Sequence, residues 1–324
     1  MAAGTCRPGG TLERDTTMDS VFAPLSHHGR FPYSAITQRC DFHWPGGKRL
    51  AVYIGFNVEH FAFGEGLGAK LGAAFNEPDV LNYSWREYGN RVGAWRCLEL
   101  FDQLEMPTGL IANTALYDHC PELLQAFQRR GDEVIAHGHS NAYHQGTLNE
   151  QQEAALLLHC RRRIGKESGQ LPTGWLSPWI GESHLTPDLL RETGYRYTLN
   201  WSHDDQPVAM RTRNGRRLWA VPYPQEVNDI PMIIARKLDG SAFAQMIIDQ
   251  FDEMLRQSDH QPLVMGIALH PYLVGQPYRL RHLRRALEHI QCHREAIWMT
   301  TPGRICDHMD TIMPPDQERD QERE

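Results

Sequence analysis

Short apolar runs alternate with longer amphipathic stretches along most of the chain. Residues 50–56 (LAVYIGF) are apolar at nearly every position, the signature of a strand buried on both faces. Residues 93–104 carry apolar side chains at helical spacing. A strand follows at 109–112, then a helix at 121–130 that Gly131 closes. The same reading gives a strand at 133–136, a long helix at 149–163, and strands at 174–177, 195–199, 218–221 and 263–269. Helices at 188–192, 242–256 and 279–291 fill the gaps. Strand–helix alternation of this kind predicts an α/β fold with a parallel sheet, and at this length a barrel is its natural form.

Between about residue 31 and residue 313 no linker or change of composition interrupts the pattern, so one domain is expected there. Residues 1–30, rich in Gly, Thr and Ser, read as a flexible arm, and residues 314–324 (PPDQERDQERE) as a charged, disordered tail. The 324 residues are 41% hydrophobic and 23% charged, as in an ordinary globular enzyme. A net charge of −7 gives no basic footprint for nucleic acid; the one dense basic run, 279–285, has the spacing of a solvated helix face. Seven cysteines, an odd count without a CxxC pair, fit a reducing compartment. No apolar segment in residues 1–20 suggests a secretory signal, and none elsewhere approaches the ~18 residues of a membrane span. The expectation is a cytoplasmic protein with a small-molecule substrate, without nucleic-acid or membrane partners. A homo-oligomer is compatible with this reading.

Polar residues cluster directly after predicted strands, where barrel enzymes place their sites. Asn57, Glu59 and His60 follow the first strand. His137, His139, Asn141 and His144 follow that at 133–136; Asn200, Trp201, His203, Asp204 and Asp205 follow that at 195–199; His270 follows the last. One polar residue at a strand end is commonly structural, but four such clusters ask for a common purpose, because a buried polar group without partners costs ~1–3 kcal/mol. The chemistry they suit is hydrolysis. Glu59 can take a proton from water and His270 can give one to a departing nitrogen, with Asp204 or Asp205 orienting the histidine. His137, His139 and His144 offer nitrogen ligands for a metal. No GxSxG elbow, P-loop or Rossmann glycine fingerprint is present, and no cysteine lies beside the clusters.

In this order the clusters resemble the polysaccharide deacetylase (NodB-homology, carbohydrate esterase family four) superfamily across nearly all of residues 48–302. Asn57-Val58-Glu59-His60 stands at the family's TFDD motif, with Glu59 at the base aspartate and His60 at the metal-binding aspartate. His137 to Asn141 stands at HxxxH, Gly174 to Pro178 at the RPPxG region, Asn200 to Asp205 at the Asp–Trp region, and Leu269-His270 at the terminal LH. The allantoinase-like and cyclic-imidase-like branch is more similar still: its DDxP falls on Asp204 to Pro207 and its LHxxLxGxPxR on Leu269 to Arg279. Val221-Pro222-Tyr223 followed by Asn228-Asp229 matches that branch too. The resemblance implies a distorted (β/α) barrel and hydrolysis of carbon–nitrogen bonds other than peptide bonds.

The departures narrow the expectation. The metal triad Asp-His-His is here His60, His137 and Asn141, a poorer set for Zn²⁺, with His139 and His144 as substitutes. The site is therefore expected to hold a divalent metal weakly or to need none. Trp175 replaces the arginine of the third motif, and HGHSN replaces the HGWRW of allantoinases, which counts against allantoin as substrate. Trp175, Trp179 and Trp201 are candidates to wall a pocket for a ring-shaped substrate. The first reading is a hydrolase of a small amide, ureide or cyclic imide. Its alternatives are an N-acetyl-sugar or polysaccharide deacetylase and a catalytically silent relative that binds a carbohydrate or metabolite.

Overall fold

The computed structural model describes residues 26–314. Strands β1 (Leu50–Val58), β2 (Thr108–Ala112), β3 (Glu133–Ala136), β4 (Gly174–Trp175), β5 (Tyr197–Thr198), β6 (Val208–Arg211), β7 (Arg217–Ala220), β8 (Leu263–Leu269) and β9 (Ile297–Met299) form one sheet. Its order is β6-β7-β5-β4-β3-β2-β1-β8, with β9 added to the first half of β1. All pairs are parallel except β6–β7. Between strands run α1 (Val80–Tyr88), α2 (Ala94–Gln103), α3 (Pro121–Arg130), α4 (Glu150–Ser168), α5 (Thr186–Glu192), α6 (Gly240–Gln257) and α7 (Pro277–Cys292); α8 (Pro302–Ile312) ends the domain. Arg30 belongs to this body, since its guanidinium meets Asp188 at 2.6 Å. The remainder of the predicted arm and tail lies largely outside the described residues.

Strand alternation sorts the core into two layers. On β1, Leu50, Val52, Ile54, Phe56 and Val58 join the outer core beneath the helices, whereas Ala51 and Tyr53 join an inner core with Ile111, Ile135, Leu176, Trp219, Val264 and Ala268. The inner row of β1 continues through Gly55 and Asn57 to Glu59. The inner row of β8 continues from Val264 and Ala268 to His270. The strand period alone therefore aims both residues into the mouth at the C-terminal ends of the strands, where barrel sites are built.

The ring closes without a strand ladder. On the free edge of β8, the Val264 N–H donates to the Asp205 carbonyl (2.8 Å) and the Ala268 N–H to the Val227 carbonyl (3.0 Å), and Asn228 and Ala268 form an isolated parallel bridge. This irregular closure is the distortion of the barrel. After His270 the chain makes one helical turn, Pro271–Val274, which packs on the π-helical turn Gly89–Gly93 that leads into α2. Gly275 and Gly93 touch backbone to backbone there; a Cβ on Gly275 would collide with the Gly93 Cα and the Pro271 carbonyl. Gly275→Ala should therefore lower unfolding stability by roughly 1–3 kcal/mol, the usual cost of overpacking. Urea denaturation measures this, and an unchanged midpoint would show that the two turns separate easily.

Candidate active site

Glu59 and His270 face each other across the mouth, both buried. The Glu59 Oε1 lies 3.7 Å from the His270 Nε2 and 3.5 Å from the His137 Nε2. Its other oxygen, Oε2, accepts from the Tyr272 hydroxyl at 2.9 Å. Asn141 Nδ2 donates to Oε1 at 2.6 Å. Burial alone would raise the pKa of Glu59, but the His270 and His137 rings and the Tyr272 hydroxyl outweigh it, and the carboxyl is held below its ordinary range.

His270 is oriented by Asp229, which is fully buried. The His270 Nδ1 meets Asp229 Oδ1 at 2.6 Å, and the His270 backbone N–H donates to Oδ2 at 2.8 Å. Burial opposes charging of the imidazole, but Asp229 and Glu59 together overcome it and raise its pKa above the ordinary value. Asp204 and Asp205 do not take this part. Asp204 is held by Arg39 at 2.6 Å, and Asp205 supplies the carbonyl that meets Val264 at the start of β8. Six residue steps of extended strand, roughly 20 Å, separate that point from His270. The bridge from Asn228 to Ala268, by contrast, sets Asp229 beside the end of the strand.

The amide orientations around Glu59 follow from groups whose roles are fixed. The His60 backbone N–H donates to Asn113 Oδ1 (2.7 Å), so the Asn113 NH₂ faces the His137 carbonyl and the Asn141 Oδ1 (2.9 Å). Asn141 is thereby committed to turning its own NH₂ toward Glu59. The His137 Nδ1 lies 2.7 Å from the Leu176 carbonyl, an acceptor only, so it carries the proton, and the buried Nε2 faces the cavity without a protein hydrogen bond.

This geometry decides how well the residues at the family's metal positions fit a cation. His60 follows Glu59 by one residue and turns to the other side. Its Nδ1 meets the Ser140 hydroxyl at 3.0 Å, and its ring packs against His119. Asn141 presents N–H groups, not a lone pair, to the Glu59 side. His139 is exposed and paired with Thr114 Oγ1 at 3.0 Å, because Gly138, at φ 68°, breaks the strand before it. His144 is exposed, its ring 6.2 Å from that of Trp179. Of the expected ligands, His137 and Asn141 line the cavity, but the Asn141 Oδ1 is taken by Asn113 and only His137 offers the cavity a nitrogen, so this donor set does not fit a divalent cation. Among the described residues no group of three or more His, Cys, Asp and Glu is arranged to hold one.

The carboxylate and the two imidazoles stand at the floor of a cavity of about 240 Å³, with Phe61, Trp179, Ile180, Tyr223 and Tyr272 in its walls and no lysine or arginine among its lining residues. Of the three tryptophans, only Trp179 lines it. Trp175 belongs to the outer core against Tyr195, and Trp201 packs on Phe31 and donates to Glu182 at 3.0 Å. Trp179 and Ile180 both adopt left-handed backbone conformations, φ 60° and 54°, unusual for large side chains. Their loop is held by the Trp179 Nε1, which donates to the Asn141 carbonyl (2.8 Å), and by Asn200, whose Oδ1 accepts the Ser177 N–H (2.8 Å).

Sequence reasoning assigned no role to Asp229, Tyr272, Asn113 or Ser177. Asp229 left a signal in the Asn228-Asp229 pair that follows Val221-Pro222-Tyr223, and Ser177 and Tyr272 lie inside the matched segments 174–178 and 269–279 without being singled out. Those two and Asn113 carry out their parts through contacts between distant strands.

The C-terminal mouth of the parallel α/β barrel thus brings together a buried carboxylate and an oriented imidazole, a pair whose chemistry suits acid–base hydrolysis. No family model matches the chain. It is 25% identical over 284 residues to the peptidoglycan deacetylase of Helicobacter pylori, covering 78% of this chain and 94% of that protein. The PuuE allantoinase structure superposes with a TM-score of 0.79 at 26% identity, over 88% of this chain and 99% of the other. A structure described as a probable polysaccharide deacetylase from Pseudomonas aeruginosa superposes at 0.78 with the same identity and coverage. The chain is thus similar, in sequence and in fold, to polysaccharide deacetylases and an allantoinase of the NodB-homology type, and these likenesses support a carbon–nitrogen hydrolase of that kind.

If the Asp229 carboxylate holds the proton on His270, the alkaline limb of kcat/KM, where His270 loses that proton, should lie above the ordinary histidine range. Asp229→Asn removes the charge and should move that limb to lower pH. The acid limb, set by protonation of Glu59, should stay below the ordinary carboxylate range. A pH–rate profile of the variant with an unmoved alkaline limb would assign the proton to another group.

Proposed function

We propose that the protein hydrolyses a carbon–nitrogen bond, other than a peptide bond, in a small uncharged amide, ureide or cyclic imide. The observation that carries this reading is the pairing of Glu59 and His270, 3.7 Å apart, in a cavity of about 240 Å³ that no lysine or arginine lines. Glu59 takes a proton from water as the water oxygen bonds to the carbonyl carbon. The tetrahedral intermediate then collapses, and His270 gives its Nε2 proton to the departing nitrogen as the C–N bond breaks. An amide anion is a very poor leaving group, so this second proton transfer is as necessary as the first. The two groups need well-separated pKa values, and their surroundings push them apart: Glu59 down, His270 up.

N-acetyl-sugar deacetylation is the second reading, favoured by the name of the Helicobacter pylori relative. A hydrolysis screen of amides, ureides, cyclic imides and N-acetylated sugars separates the two. On the best substrate, Glu59→Gln and His270→Ala should each lower kcat by roughly 10²–10⁴ while circular dichroism stays native. Near wild-type rates in both would overturn the assignment.

No step above passes through a metal, because the donor set does not fit one. Activity should survive dialysis against a chelator in large part. Complete loss, restored stoichiometrically by Zn²⁺, would show that His137 and its neighbours rearrange into a metal site.

A further inference from the structure

Ser177 follows β4, is fully buried, and lines the cavity that holds Glu59 and His270. Its hydroxyl oxygen accepts two hydrogen bonds. One comes from the Trp175 indole N–H at 2.9 Å, a group that can only donate. The other comes from Asn200 Nδ2 at 2.8 Å. The Asn200 amide cannot be turned over: its Oδ1 accepts the Ser177 backbone N–H at 2.8 Å, and its NH₂ also donates to the Glu182 carboxylate at 2.6 Å. Both lone pairs of the Ser177 hydroxyl are therefore taken by fixed donors, and its own proton has no acceptor among the described residues.

A hydroxyl can act as donor or acceptor by rotation, but this one has lost the choice. With Cβ and two N–H groups in three of its tetrahedral directions, the proton occupies the fourth, and the cavity is the space left to it. A buried donor without a partner is costly, on the order of 1–3 kcal/mol, unless something enters to accept from it. We infer that Ser177 is a committed hydrogen-bond donor to the carbonyl oxygen of the bound substrate, which becomes the oxyanion when water adds. Asn200, Trp175 and Glu182 are then positioning residues, which act by holding the hydroxyl in one rotamer.

This inference rests on the proposed reading of the site as a hydrolase of small carbonyl compounds. It requires that the site discriminate oxygen from sulfur at the accepting position, since a thiocarbonyl is a much weaker acceptor. Succinimide and dithiosuccinimide are the probes. The wild-type protein should prefer the oxo compound, in calorimetric binding and in hydrolysis. Ser177→Ala should shrink that preference by at least tenfold and at most by the roughly 10²–10³ that removing one oxyanion donor costs in kcat. Ser177→Thr keeps the hydroxyl and should keep the preference, whatever its absolute rate. If the alanine variant does not fold, Ser177→Cys, a weak donor of similar shape, should show the same collapse. A purely structural role would weaken both probes equally, and equal loss overturns the inference. If the wild type hydrolyses neither these probes nor any compound of the screen, the proposed function fails, and the binding preference alone still judges Ser177. Binding of neither probe by the wild type overturns the donor role as well.

Discussion

A carboxylate buried in an apolar barrel must be compensated, and Asp229 is compensated by one residue twice over, through the backbone N–H and the ring Nδ1 of His270. The double bond fixes three things at once. It sets the rotamer of the imidazole, it assigns the Nδ1 proton so that Nε2 faces Glu59, and it ties the segment after β7 to the end of β8. That last tie is part of the seam where the barrel closes without a ladder. The chemistry and the closure of the ring thus depend on the same pair of side chains.

Glu59 is compensated differently. Its oxygens accept from Tyr272 and Asn141 and lie near two imidazoles, so the charge is shared among groups carried by β1, β8 and the β3 loop. Asn141 stands where the resemblance puts the second histidine of the Asp-His-His pattern. Here Asn113 and Asn141 form a neutral amide relay that points N–H groups at Glu59 instead. Such a relay supplies hydrogen bonds without a net charge, and the burden of positive charge falls on His270.

Much of this was legible from strand period. A run such as 50–56 declares a buried strand, and once its register is known Glu59 and His270 fall on the inner face by parity. The same parity sends His60 outward and Trp175 into the helix layer, which the motif alignment, taken residue by residue, does not reveal. What escaped is of two kinds. Short elements such as β6 and β9 and the helix α1 carry too little periodicity to stand out from loops. Partnerships between distant segments, such as Asp229 with His270 or Asn200 with Ser177, are set by the seam and by loop packing. Asp204 and Asp205 looked equally suitable because an acidic pair near a strand end has the right chemistry; only the register of Asn228 against Ala268, and of Asp205 against Val264, tells the two apart.

The seam has a consequence for how this protein can diversify. Tyr223, Asn228, Ile230 and Pro231 line the cavity, yet Val227 to Asp229 also close the barrel and orient His270. A substitution there that reshapes the pocket also disturbs the closure of the barrel, so that wall is constrained by folding as well as by what it binds. The opposite wall, from Phe61 to Ala69 and at Trp179 and Ile180, belongs to loops outside the seam. New substrate preferences, whether arising in nature or in a mutant library, should accumulate on that side of the mouth.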